Sequence, residues 1–181
     1  MAQIVSVFGS GQVAPDSADY ADAVRLGGML AEAGYIVMTG GYAGLMEAAS
    51  KGAKEAGGHV IGVTVGMFDR AGAKANDYVD EVMSYDTLSE RLLHVVKAAD
   101  AVITLPGGIG TLTEVALTWS LLQTGEVAPM PFVLVGDIWQ TLMEGFYGAG
   151  SDIREPHMHL FQLARTPHQA LTMLRNWEVS A

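Results

Sequence analysis

Short apolar runs alternate with helically spaced apolar positions along most of this chain, and the alternation predicts a βα protein. Runs at residues 4–8, 35–38, 59–65, 79–83, 101–105 and 131–135 have strand length and strand composition. Between and after them, helical spacing covers 17–33, 45–56, 88–98, 115–122, 139–146 and 167–177. Gly34 and the pair Gly57-Gly58 stand where two of these helices must stop. Residues 66–77 are polar and aperiodic and are expected to form a loop, and the segment around Pro156 shows no regular pattern. This βα alternation, with no linker and no longer repeat, predicts one domain over residues 1–181. Its expected fold is α/β, a Rossmann-like doubly wound sheet, mostly parallel, with helices on both faces.

Composition changes this picture little but narrows the partners. The 181 residues are half apolar and include 22 glycines, which suits a sheet protein with many tight strand-to-helix turns. A formal charge of −10 repels nucleic acid backbones and anionic membranes, so neither is an expected partner. Any phosphate site must then be a local arrangement of amides and one or two arginines. With no cysteine there is no thiol nucleophile and no disulfide framework. No apolar run has transmembrane length and no secretory pattern opens the chain, so a soluble cytoplasmic protein is expected.

In a doubly wound sheet every strand-to-helix turn lies at the carboxyl edge, where ligands bind. Three such turns here are glycine-rich: Gly9-Ser10-Gly11, then Gly40-Gly41 with Gly44, then Pro106-Gly107-Gly108 with Gly110-Thr111. The third is the most suggestive. A strand turned into a helix through glycines aims free N–H groups and the positive end of the helix dipole at one point, which suits a phosphate. Glu114 follows it, expected in the first helical turn. The helix at 88–98 returns antiparallel to its strand, bringing Arg91 to the same edge, where it can converge with Glu114.

Each feature also has a plainer explanation. Thr111 and Glu114 have the spacing of a capping box, and Arg91 could belong to a surface ion pair of little consequence. The first turn matches a loose dinucleotide fingerprint, but Pro15-Asp16-Ser17 delays the helix and the second strand ends in Met38-Thr39 without an acid for a ribose. His94 is expected to be an ordinary helix residue, and His157 with His159 lacks a third metal ligand. Met29, Met38, Met46, Met143 and Met173 fall on apolar faces and are expected in the core.

The segment Pro106-Gly107-Gly108-Ile109-Gly110-Thr111 with Glu114 resembles the PGGxGTxxE signature of the Lonely Guy (LOG) family, and residues 40–46 resemble that family's GGGxxGLM turn. Arg91, nine residues before Asp100, falls where the family carries its catalytic arginine. The resemblance runs from the first strand to about Trp139. It implies hydrolysis of the N-glycosidic bond of nucleoside 5′-monophosphates, giving a free base and ribose 5-phosphate, without metal or cofactor, in a homodimer. It assigns catalysis to Glu114 and Arg91, and phosphate or substrate binding to Gly9, Ser10, Gly11, Gly40, Gly41, Gly44, Pro106, Gly107, Gly108, Gly110 and Thr111. Such proteins also carry the label of possible lysine decarboxylases, yet nothing here resembles a pyridoxal phosphate site with its Schiff-base lysine. The chain departs from the pattern at Leu92, Thr39 and Glu47, and in this it resembles molybdenum cofactor carriers on the same fold, which bind a phosphorylated pterin without turnover. Single-strand DNA binding, as in more distant DNA-processing relatives, is disfavoured by the acidic charge.

Overall fold

In a computed structural model, residues 2–146 and 152–178 are described. The chain order is β1 (Ile4–Phe8), α1 (Ala18–Glu32), β2 (Ile36–Thr39), α2 (Leu45–Glu55), β3 (Val60–Val65), α3 (Gly66–Arg70), β4 (Glu81–Tyr85), α4 (Leu88–Lys97), β5 (Ala101–Thr104), α5 (Ile109–Thr124), β6 (Phe132–Val135), α6 (Asp137–Phe146), α7 (Glu155–Met158), β7 (Gln162–Ala164) and α8 (Pro167–Arg175). The sheet has the order β4-β3-β2-β1-β5-β6-β7. Every strand pairing among the described residues is parallel, so the expected mostly parallel sheet is wholly so. The order reverses at β1, which pairs with β2 on one side and β5 on the other, and a crevice opens at such a switch point.

Alternation along the strands divides the core. Val5 and Val7 of β1 face one layer with α1, α2 and α8, while Phe8 faces the other with α4, α5 and α6. Strands buried on both faces explain why the sequence runs are almost purely apolar. In β1 the exception is Ser6, whose hydroxyl is satisfied by donating to the Val95 carbonyl of α4 at 2.6 Å. The helix ends follow local chemistry. Ser17 caps α1 by accepting from the Tyr20 N–H, and Gly34, at φ +86°, ends the chain's turn out of that helix. Thr87 and Glu90 form a complete capping box at α4.

Four expectations are corrected here. Residues 66–70 are helical, not loop, because β3 runs straight into one helical turn and a half. A seventh strand, β7, pairs with β6 inside the segment that showed no pattern, its three residues being too few to display a period. The fifth helix starts at Ile109 rather than 115, with Gly108 as its N-cap. Glu114 is therefore in the second turn of α5, and Thr111 with Glu114 forms no capping box. Met38 and Met143 are buried in the core as expected, and Met29 and Met173 pack against it. Met46 instead borders the cavity described below.

The α1 and α2 helices approach backbone to backbone through glycines. A Cβ on Gly27 would lie 2.8 Å from the Ala49 carbonyl carbon and 3.0 Å from the Ala53 nitrogen, and both are main chain that cannot yield. Gly27→Ala is expected to lower stability by about 1–3 kcal/mol as an overpacking change. Chemical denaturation should show a lower midpoint with an unchanged slope, and an unchanged midpoint would mean that the helices can separate freely.

Candidate functional site

Hydrogen bonds stitch the three glycine turns together at the carboxyl edge. Ser10 is the middle link, its N–H donating to the Pro106 carbonyl at 3.0 Å while its own carbonyl accepts from the Leu45 N–H at 2.8 Å. Gly44, at φ +70°, permits this approach, since any side chain there would collide with the backbone of Ser10 and Gly11. After β1 the chain turns for several residues before α1 begins at Ala18, so the helix that follows β1 does not start at the first turn. That geometry counts against a dinucleotide site, as the sequence does.

Above these turns lies a cavity of about 650 Å³, a size ordinary for small-molecule sites. Gly9, Ser10, Gly11, Gly108, Gly110 and Thr111 border it, as do Arg91 and Glu114. Gly40, Gly41, Gly44, Pro106 and Gly107 do not border it and lie behind the wall. Their lack of bulk serves the wall itself: a Cβ on Gly107 would collide with Thr111, and one on Gly40 with the Arg91 guanidinium and the Met46 sulfur. By contrast, nothing lies within 4 Å of where a Cβ on Gly108 or Gly110 would point. A separate cleft of about 380 Å³, lined in part by Gln3, Tyr35, Asp100 and Trp177, sits at the strand starts, and its lining holds no glycine.

The start of α5 is built to receive an anion. Its N-cap is Gly108, with no side-chain cap, and the first main-chain bond of the helix runs from Leu112 N–H to the Gly108 carbonyl. The N–H groups of Ile109, Gly110 and Thr111 precede that bond and meet the positive end of a 16-residue helix dipole. Thr113, on the same turn, also reaches the cavity.

Arg91 and Glu114 converge as the sequence suggests. Arg91 Nη1 donates to Glu114 Oε1 at 2.7 Å, and Arg91 Nε donates to the Val63 carbonyl of β3 at 3.1 Å. Both side chains are buried, at 8% and 7% exposure, unlike the exposed ion pairs elsewhere among the described residues. Burial pushes the Glu114 carboxyl above its ordinary value, and the facing guanidinium opposes that rise. The pair is thus a carboxylate held in a water-poor cavity wall by one cation, beside an anion-receptive helix end.

Sequence reasoning missed the apolar side of the cavity. Tyr42, Met46, Phe68, Leu88, Leu92 and Ile109 border it, as does Gln12. Tyr42 and Met46 lie inside a recognised motif and could have been found there. Phe68 sits in the aperiodic stretch, and no pattern marks it. His94 lies half-buried at 5.1 Å from the Tyr85 ring, and burial lowers its pKa. Among the described residues no group of three or more His, Asp or Glu is placed to hold a metal.

A family model for the SLOG cluster4 family, a LOG-like family, matches residues 2–127. The chain belongs to this LOG-like family. It is 30% identical over 178 residues to the Oryza sativa subsp. japonica protein named "Probable cytokinin riboside 5′-monophosphate phosphoribohydrolase LOGL5", covering 87% of this chain and 71% of that one. It is 35% identical over 134 residues to an uncharacterised protein of Archaeoglobus fulgidus, covering 73% of this chain and 83% of that one. The solved structure of the molybdenum cofactor binding protein from Rippkaea orientalis superposes with a TM-score of 0.76 at 27% identity, over 97% of this chain and 96% of that one. The Rossmann-like fold is shared with the molybdenum cofactor binding protein.

The space kept by Gly40 gives a direct test of the site's construction. Gly40→Ala is expected to fold, because the colliding atoms are ends of flexible side chains, but to drive the guanidinium away from Glu114. Losing Arg91 removes the influence that lowers the carboxyl, so Glu114 should titrate at higher pH than in the wild type. Carbon-detected NMR of the side-chain carboxyl would read this, and an unshifted titration would show that Gly40 does not seat Arg91.

Proposed function

We propose that this protein is a phosphoribohydrolase that cleaves the N-glycosidic bond of nucleoside 5′-monophosphates such as AMP, releasing the base and ribose 5-phosphate. The observation that carries the reading is the buried Arg91–Glu114 pair in the wall of a cavity that also receives the uncapped start of α5. The amides of Ile109, Gly110 and Thr111, with the Ser10 turn, would hold the 5′-phosphate. Departure of the base leaves positive charge on the ribose, which an ionised Glu114 stabilises while it orients or deprotonates the attacking water. Arg91 keeps Glu114 ionised and in place, seated by its bond to the Val63 carbonyl. The mechanism calls for no metal or organic cofactor.

A second reading is non-catalytic binding of a phosphorylated ligand, favoured by the likeness to a molybdenum cofactor binding protein. An assay of base release from a panel of nucleoside monophosphates separates the two. Release from AMP supports hydrolysis, and an inert wild type that binds a molybdopterin-type ligand tightly supports the carrier. Glu114→Gln should reduce turnover by about 10²- to 10⁴-fold. Hydrolysis needs the ionised acid, so kcat/KM should fall as pH drops through a value above the ordinary 4.5 of glutamate. Full activity in Glu114→Gln, or an acid limb at or below that value, would remove Glu114 from the mechanism.

We also infer a homodimer, with the outer face of α5 as its contact. Apart from buried Glu114, this helix carries no charged residue, so its exposed face, Leu112, Thr113, Ala116 and Ser120, is uncharged. Ile109 is 81% exposed and Leu112 is exposed, with Leu88 and Leu93 of α4 also exposed. A second copy presents the same uncharged face and avoids the repulsion between two chains of charge −10. Sedimentation at micromolar concentration should give a dimer, and Ile109→Lys should shift it toward monomer. A wild-type monomer would refute the contact.

A further inference from the structure

The apolar side of the cavity has no role in the chemistry above, and its construction assigns it one. We propose that Phe68, braced edge to face by Tyr42, forms a stacking platform that grips the base of the nucleotide by its face and leaves its hydrogen-bonding edge unread, so that the site accepts nucleobases of different edge pattern. This rests on the nucleotide reading of the site and extends it to what selects the leaving group.

The strand order separates the two ends of the cavity. The anion-receptive start of α5 follows β5, whereas Phe68 lies on α3, which follows β3, with β2 and β1 between. Arg91 spans the interval, bonded at one end to β3 and at the other to Glu114 of α5. A phosphate at α5 with its sugar against Glu114 therefore directs the base toward β3 and α3.

What waits there is a fixed aromatic surface. The Tyr42 hydroxyl accepts from the Val65 N–H at 2.8 Å and lies 3.2 Å from the Val65 carbonyl, to which it donates, so the ring is anchored and its polar end is occupied. Phe68 stands edge to face with it, ring centres 5.8 Å apart at 72°, and remains 40% exposed at the cavity. Leu88 and Leu92 border the same cavity from α4. The polar side chains of the lining other than Arg91 and Tyr42, namely Ser10, Gln12, Thr111, Thr113 and Glu114, come from the β1 turn and α5. Aromatic rings bind any base through its π-face, and selectivity between bases requires edge contacts that the described side chains at this end do not offer.

The test compares ligands with and without a base. Initial rates of base release from AMP and CMP give KM, and ribose 5-phosphate, which fills only the phosphate and sugar positions, gives an inhibition constant. In Phe68→Ala, KM for AMP and for CMP should both rise about ten-fold or more, from loss of one stacking partner. The ribose 5-phosphate constant should stay as in wild type, and Phe68→Tyr should restore both KM values. The proposal is overturned if KM is unchanged, if only one nucleotide is affected, or if ribose 5-phosphate weakens in parallel. Where wild type binds AMP without releasing base, hydrolysis fails, yet the same comparison made by calorimetry as dissociation constants still decides the platform. A wild type that binds no AMP refutes both.

Discussion

The structure depends on a buried ion pair. Arg91 and Glu114 meet at 2.7 Å with almost no contact with bulk water, and desolvating two charges costs several kcal/mol per ion unless the remaining donors are satisfied. The Val63 carbonyl takes the Nε proton, leaving the guanidinium with one side toward Gly40 and the cavity. Removing either partner would strand the other charge in a low-dielectric wall. The pair therefore ties β3, α4 and α5 to one another at the edge where the glycine turns converge, and the geometry of the cavity follows from it.

The glycines fall into two kinds once that pair is in place. Those of the second turn and Gly107 make room, for the guanidinium, the Met46 sulfur, the Ser10 turn and the Thr111 side chain. Gly108 and Gly110 face open space and leave the start of α5 uncovered. A phosphate-shaped turn thus needs its small residues for two separate reasons, and only the second involves the ligand. An acidic chain can still receive an anion this way, because three amides and a helix dipole act at short range where the distributed charge of −10 is screened.

Much of this was legible in the sequence, for identifiable physical reasons. Buried parallel strands are nearly all apolar, so β1, β2, β3, β5 and β6 stand out, whereas the exposed edge strand β4 shows only as a short run and β7 escapes because three residues carry no period. The convergence of Arg91 and Glu114 followed from the direction of α4 alone. The apolar spacing that marks α5 begins only at Val115, so its start at Ile109 is hidden by glycine and threonine, and the capping box that Thr111-x-x-Glu114 suggests does not form because Gly108 is the cap and Arg91 takes the carboxylate. Gly40 is assigned to the ligand by the resemblance alone, and its neighbour in the fold, Arg91, is too distant in the chain for the sequence to show. Phe68 had no signal at all, since a helix of five residues shows no amphipathic pattern.

The position of Glu114 weighs on the choice between turnover and mere binding. A carboxylate beside an anion site opposes the ligand's phosphate, and here it also carries a burial penalty strong enough to raise its pKa. A carrier of a phosphorylated molecule would hold its ligand more tightly with an amide or a hydroxyl at that position. Nor does Glu114 serve the fold as a helix cap, because the N-terminus of α5 is closed by Gly108 and its carboxylate turns inward to Arg91. A group that carries a burial penalty, hinders ground-state anion binding and performs no capping suits the proposed hydrolysis, in which its favourable interaction would appear only as the glycosidic bond opens. In the proposed hydrolysis, the Arg91 partner would make that arrangement tolerable at rest by balancing the charge until the ribose itself becomes positive.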